Sequence, residues 1–209
     1  MTRMRAADVK LPIDFYFDFS SPYGYLASEK IEALAERHGR SVDWHPILLG
    51  VVFKLTGANP LTDVPLKGPY SKRDFARSAK FHGVERFRLP STFPIATQAP
   101  ARIVLWLKER DPALAVATLH SLYRAFFGDD VDISKPEKAV AVAVNCGVDG
   151  AAARAAIDDL AIKDALKREN ERAIAAGVFG SPFTIVDGEP FWGVDRLDQV
   201  DRWLATGGW

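Results

Sequence analysis

A single cysteine, Cys146, stands in a chain of 209 residues. That scarcity excludes an intramolecular disulfide, removes any dithiol cycle carried by the protein itself, and fits a reducing compartment. Charge of one sign is equally lacking. Lys plus Arg and Asp plus Glu both total 27, so no net field gathers nucleic acid or an anionic membrane, although a local basic pocket stays open. Long apolar runs are missing too: interior runs such as Ile103 to Leu107 fall far short of the about 20 residues that a bilayer-spanning helix needs. Met1 to Lys10 is polar, has no apolar centre of the kind an export signal carries, and reads as a frayed leader. The four histidines, His38, His45, His82 and His120, show no metal-ligand spacing, so no metal is expected. Together these absences predict a soluble cytoplasmic protein that binds neither nucleic acid nor membrane.

What is present is ordinary globular material. Hydrophobic residues make up 48% and charged residues 26%, enough to build a core and too apolar for extended disorder. The length predicts one compact unit or one domain with a large insertion. In Ile13-Asp14-Phe15-Tyr16-Phe17-Asp18-Phe19 the odd positions are aromatic and share one face, while Asp14, Tyr16 and Asp18 share the other. That is the period-two pattern of a strand, and its aromatic weight suggests a central one. Ser20 or Ser21 can cap the helix that follows, Pro22 suits its first position because the missing N–H is not needed there, and Gly39 closes it. Ser41 to His45 alternates again and stops at Pro46, giving a second strand parallel to the first through a right-handed crossover.

From Leu48 to about Gly177 the pattern becomes helical. Thr56 to Pro69, rich in Pro and Gly, reads as a loop over a pocket. Ser71 is placed to cap a helix with Asp74 in the capping-box position and Gly83 at its end. Further helices are expected over Ala99 to Arg110, Pro112 to Phe127, Lys135 to Cys146, and Gly150 to Ala176 with a break near Leu160. Asp111 and Asp149 precede two of these runs as caps, and Ser134 lies shortly before a third. The thiol of Cys146 is expected to be buried on its helix. Phe75, Phe81, Phe87 and Phe93 are read mainly as core, with some lining an apolar pocket. Lys67, Lys72, Arg73 and Arg77 form a solvated helix face. Phe183 to Val186, the Asp187-Gly188 turn and Glu189 to Trp192 then predict an antiparallel hairpin. Asp195 can cap a last helix carrying Leu197, Val200, Trp203 and Leu204 before Gly207.

Strand, helix, strand, helical insert, strand, strand, helix is the thioredoxin order interrupted in the middle. The fold class predicted is α/β, a thioredoxin-like domain formed by residues 11–48 and 177–209 with an all-helical insertion over 49–176. In that plan a reactive residue opens the first helix and a distant Gly-Ser-Pro begins the third strand, with Pro182 expected in cis. Redox proteins of this plan open the helix with Cys-x-x-Cys. Here the stretch is Ser21-Pro22-Tyr23-Gly24, so any thiol chemistry needs a borrowed sulfur.

Phe15 to Ala27, Gly180-Ser181-Pro182 and Phe191 to Leu197 resemble the 2-hydroxychromene-2-carboxylate isomerases, relatives of the kappa-class glutathione transferases, and the resemblance covers nearly the whole chain. It implies glutathione as cofactor, a homodimer, and a cis-trans isomerisation in bacterial breakdown of naphthalene-like aromatics. The substrate it implies is an aromatic carboxylate, a cyclic hemiketal that opens to trans-o-hydroxybenzylidenepyruvate. On that likeness the family's active-site serine falls on Ser21 and its glutathione-contacting residue before the cis-proline on Ser181, beside Pro182. Its later glutathione-binding stretch falls on Trp192, Gly193, Val194 and Asp195, and a substrate-side lysine on Lys54.

A bound thiol adds fast only as thiolate. Ser21 could donate to the sulfur while first-turn N–H groups and the helix dipole favour the anion. Each unit by which the thiol pKa falls is worth about 1.4 kcal/mol. The alternative is that Ser21 only caps the helix, with Ser20 as a competing candidate. Pro182 as a simple strand-entry proline, Asp195 as a helix cap, Trp192 as core and Lys54 as solvated surface likewise stand beside the functional assignments. A kappa-type transferase or peroxidase, or a non-catalytic glutathione-binding protein, are the rival functions.

Overall fold

The computed structural model describes residues 10–209, so all of the polar leader except Lys10 lies outside the described residues. Four strands form one sheet in the order β2-β1-β3-β4. β1 (Ile13–Phe17) and β2 (Val42–Pro46) pair in parallel, with Phe15 opposite Trp44, and α1 (Pro22–Arg37) connects them. β3 (Phe183–Val186) runs antiparallel to β1, and β4 (Glu189–Trp192) returns beside it. Asp187 and Gly188, at φ 52° and 91°, make the tight turn whose left-handed backbone Gly takes without cost. β1 is thus central, as its aromatic content suggested.

Between β2 and β3 the chain forms α2 (Leu49–Thr56), α3 (Lys67–Phe81), α4 (Gln98–Lys108), α5 (Pro112–Phe127), α6 (Pro136–Asn145), α7 (Gly150–Asp158) and α8 (Leu160–Ala175); α9 (Leu197–Thr206) follows the hairpin. Asp111 and Asp149 cap as expected, bonding Leu114 N at 3.0 Å and Ala152 N at 2.7 Å. Asp159 divides α7 from α8 by accepting from Ala161 N and Ile162 N. Ile13, Phe15 and Phe17 share one buried apolar cluster with Leu26 and Ile31 of α1, Ile103 of α4, Leu119 and Tyr123 of α5, and Val200 of α9. One face of the sheet is therefore held to these helices by a single large cluster, while Tyr16 and Phe183 on the other face pack with Ile47, Val52 and Ala173 in a second one; desolvation of these side chains is the main stabilising term.

Several local expectations are corrected. β1 ends at Phe17, and Phe19-Ser20 form a turn because the Asp18 carboxylate accepts from Ser20 N at 2.7 Å. The expected loop of Thr56 to Pro69 shrinks, since α2 runs through Thr56, a 3-10 turn occupies Leu61–Asp63 and α3 starts at Lys67. Ser71 therefore lies inside α3, donating to Lys67 O at 2.8 Å, and Asp74 accepts from Tyr23 rather than closing a capping box. Ser134 caps nothing: its hydroxyl turns back to Asp132, and Lys135 precedes α6. Phe81 is exposed rather than core, and Cys146 is half-buried just past the end of α6, its thiol near Val142 O.

Candidate functional site

The site forms where β1 hands over to α1 and the Gly180-Ser181-Pro182 segment crosses it. Ser21 is the N-cap of α1, in extended backbone at φ −98° and ψ 111°, and its Oγ accepts from Gly24 N at 3.0 Å. The same hydroxyl donates to the carbonyl of Ser181 at 2.8 Å. Both serines are buried, and the Ser181-Pro182 bond is cis. Two residues 160 positions apart thus share a hydrogen bond. Capping and proximity to the cis-proline coexist at Ser21, so the two assignments for that residue are not exclusive.

The first turn of α1 leaves one amide over. Ser21 N bonds Asp18 O, Pro22 has no N–H, Gly24 N is taken by Ser21 Oγ, and Tyr25 N bonds Ser21 O. Among the described residues Tyr23 N has no acceptor, and neither has Ser181 N. Two free N–H groups and a helix N-terminus beside a hydroxyl make a neighbourhood that favours negative charge.

Gly24 occupies the place of the second cysteine in a Cys-x-x-Cys helix. A Cβ there would lie 2.9 Å from Ser181 Oγ, 2.9 Å from the Tyr123 hydroxyl and 3.0 Å from Ser21 Cβ. Such contacts force a shift of buried groups, so the site lacks room for a second thiol as well as the thiol itself.

Asp18 organises this corner, a role that strand alternation did not reveal. Its carboxylate is buried and accepts from Ser20 N at 2.7 Å, Leu49 N at 2.7 Å and the Thr97 hydroxyl at 3.2 Å, joining β1 to the starts of α2 and α4. Its backbone N–H donates to Ser181 Oγ at 3.0 Å, while its carbonyl accepts from the Tyr123 hydroxyl at 2.9 Å. Burial pushes its pKa up to about 6 against the pull of those donors. The only signal in the sequence was a lone charge between Phe17 and Phe19; Tyr123 gave none.

The hairpin brings part of the remaining expected set alongside. Gly193 N bonds Pro182 O at 3.0 Å, and the Trp192 indole lies against Gly180 and packs edge-on to Phe179 at 4.8 Å. Trp192 is 55% exposed, so it is not core, whereas Val194 is buried and offers the site only its backbone. Asp195 does not cap α9. It sits in a 3-10 turn, Val194–Arg196, with its carboxylate folded over Gly193 and paired with Arg196 at 2.8 Å. Lys54 is exposed on the last turn of α2, and no hydrogen bond or ion pair among the described residues joins it to either serine.

Around His45 of β2 the structure gathers groups that spacing kept apart. His45 Nε2 lies 3.1 Å from Asp14 and 3.3 Å from Asp43, and Nδ1 lies 2.6 Å from Glu169. Burial lowers the ring's pKa, but hydrogen bonds to Asp43 and Glu169 outweigh it and raise the value to about 9. With Lys108 on Asp43 and Arg172 on Glu169, every charge in this cluster has a partner. A cavity of about 270 Å³ farther along α1, lined by residues including Glu29, Lys30, Arg86 and Arg124, includes neither serine.

A family model for the DSBA-like thioredoxin domain matches residues 12–205. A 2-hydroxychromene-2-carboxylate isomerase of Sphingobium xenophagum is 30% identical over 195 residues, covering 92% of this chain and 97% of the relative. Glutathione S-transferase kappa 2 of Caenorhabditis elegans is 29% identical over 211 residues, covering 92% and 91%. A solved structure of a 2-hydroxychromene-2-carboxylate isomerase superposes with a TM-score of 0.83 at 25% identity, covering 93% of this chain and 94% of that one. The chain therefore belongs to the DSBA-like thioredoxin-domain family, within the group of 2-hydroxychromene-2-carboxylate isomerases and their kappa-class glutathione transferase relatives.

Proposed function

We propose that this protein is a glutathione-dependent cis-trans isomerase acting on 2-hydroxychromene-2-carboxylate or a similar hemiketal carboxylate from aromatic breakdown. The observation that carries this reading is the meeting of the Ser21 hydroxyl, the free Tyr23 N–H and the free Ser181 N–H at a site with no cysteine of its own. These donors suit a thiolate brought by a ligand, and the Ser181 backbone suits pairing with the ligand peptide as an added strand would. When bound, glutathione supplies a thiolate that can add to a conjugated double bond, leave it free to rotate as a single bond, and depart again unconsumed.

The chain's residues then have separable tasks. Ser21 and the Tyr23 amide hold negative charge at the sulfur position, with the α1 dipole behind them. A hydroxyl has one proton, so Ser21 must release the Ser181 carbonyl before it can donate elsewhere. Trp192, Gly193 and the Val194 backbone flank the cis-proline for contact with the tripeptide, and Asp195 offers a carboxylate to its amino group. Lys54, on a helix whose first amide is fixed by Asp18, serves as the cation for the substrate carboxylate and for enolate charge. The same reading includes a homodimer in the cytoplasm.

Absorbance of the ring-opened product, followed with and without reduced glutathione, tests the proposal. Turnover should require glutathione without consuming it. Ser21→Ala should lower kcat by on the order of 100-fold, the usual loss for one charge-stabilising donor, and Lys54→Ala should mainly raise KM. Unchanged kcat in Ser21→Ala would remove the chemistry from this site. The similarity to a kappa-class transferase favours one rival, conjugation to an electrophile, which would consume glutathione in step with substrate.

A further inference from the structure

Two serine side chains meet beside Gly24, and their hydroxyls differ in what their protons are doing. The Ser21 proton is committed to the Ser181 carbonyl. Ser181 Oγ is held as an acceptor by Asp18 N at 3.0 Å, and its own proton has no acceptor among the described residues. The residue is only 9% exposed, so an uncommitted O–H there is neither idle surface nor freely hydrated. Its oxygen and Ser21 Cβ lie 2.9 and 3.0 Å from the same missing Cβ of Gly24, so the two serine side chains are close neighbours, packed beside the Tyr123 hydroxyl.

We propose that the side chain of Ser181, and not only its backbone, is a second catalytic hydroxyl that donates to the ligand sulfur. This inference rests on the glutathione reading above. The division of labour follows from the bonds: Asp18 N fixes where the oxygen sits, leaving its proton free to turn toward an anion, while Ser21 must first give up a bond. A thiolate held beside Ser21 would find in Ser181 a donor already available.

The test titrates the thiol of bound reduced glutathione by its ultraviolet thiolate absorbance, with binding measured separately by calorimetry. Ser181→Ala is expected to raise the bound-thiol pKa by about one unit, a tenfold loss of thiolate below that pKa, and Ser181→Thr to restore it. A crystal of the wild-type complex gives an independent reading, with Ser181 Oγ expected within hydrogen-bond distance of the sulfur. An unshifted pKa in Ser181→Ala with a shifted one in Ser21→Ala would overturn the inference and leave the proposed function standing. Failure of wild-type protein to bind glutathione would overturn both.

Discussion

The two faces of β1 carry opposite solutions to burial. Ile13, Phe15 and Phe17 enter a large apolar cluster, where Phe15 packs edge-on against Trp44 at 5.0 Å. Residues one position away, Asp14, Tyr16 and Asp18, meet α2 and α8 across a layer that mixes Ile47, Val52 and Ala173 with charge. Tyr16 stacks on the His45 ring at 4.6 Å, and burial, then the Asp14 charge, pushes its hydroxyl up to about 12. The first face depends on area removed from water and is insensitive to pH. The second depends on every polar group having a partner, so protons govern its stability. The candidate site lies at the end of this strand, where Asp18 continues the polar face.

Substitution on the apolar face should have the largest effect. Phe17→Ala is expected to cost about 4 kcal/mol in denaturant unfolding at any pH, the usual loss for a buried aromatic. A cost that varied strongly with pH would break the contrast between the faces.

His45 comes next. Its folded pKa, about 9, lies above the ordinary 6.5, so its stabilisation is fully present below 6.5 and lost as pH rises through 9. The groups facing it are Asp14, Asp43, Glu169, Lys108, Arg172 and Tyr16. Wild-type stability should fall relative to His45→Gln by up to about 3 kcal/mol between about pH 6 and pH 10. A flat difference would mean the ring is not held as a cation.

Asp18 sharpens the contrast with the opposite sign. Because its pKa is raised from 3.8 to about 6, the ionised form is disfavoured in the fold, and stability is lost as pH rises through that interval. Wild type should lose about 2 to 3 kcal/mol relative to Asp18→Asn from about pH 4 to pH 6, and then run parallel to it. Thermal unfolding across that range measures the slope, and a wild type that gained stability there relative to the variant would contradict it.

Legibility followed the range of the interactions. The α5 boundaries, Pro112 and Phe127, the caps Asp111 and Asp149, and the Asp187-Gly188 turn were readable because their hydrogen bonds close within four residues. Asp74 was misread by the same local logic: its position suits a capping box, yet its partner Tyr23 is 51 residues away. Asp195 failed similarly, since the 3-10 turn inserted before α9 moved it off the cap. At the site, Ser21, Ser181 and Pro182 were legible from their motifs. Asp18 was not, because Leu49, Thr97 and Ser181, which give it meaning, lie 31, 79 and 163 positions away.

The sequence alone determined the alternation of β1, the breaks between helices and the want of a second cysteine, for these depend on residue type and on neighbours a turn away. Only the tertiary structure decided that the Ser21 proton goes to Ser181, that the Ser181 proton stays free, and that Asp18 is buried with its charge disfavoured. Hydroxyls and carboxylates acquire such roles from the groups that folding sets within about 3 Å of them, and no local pattern records which distant residues those will be.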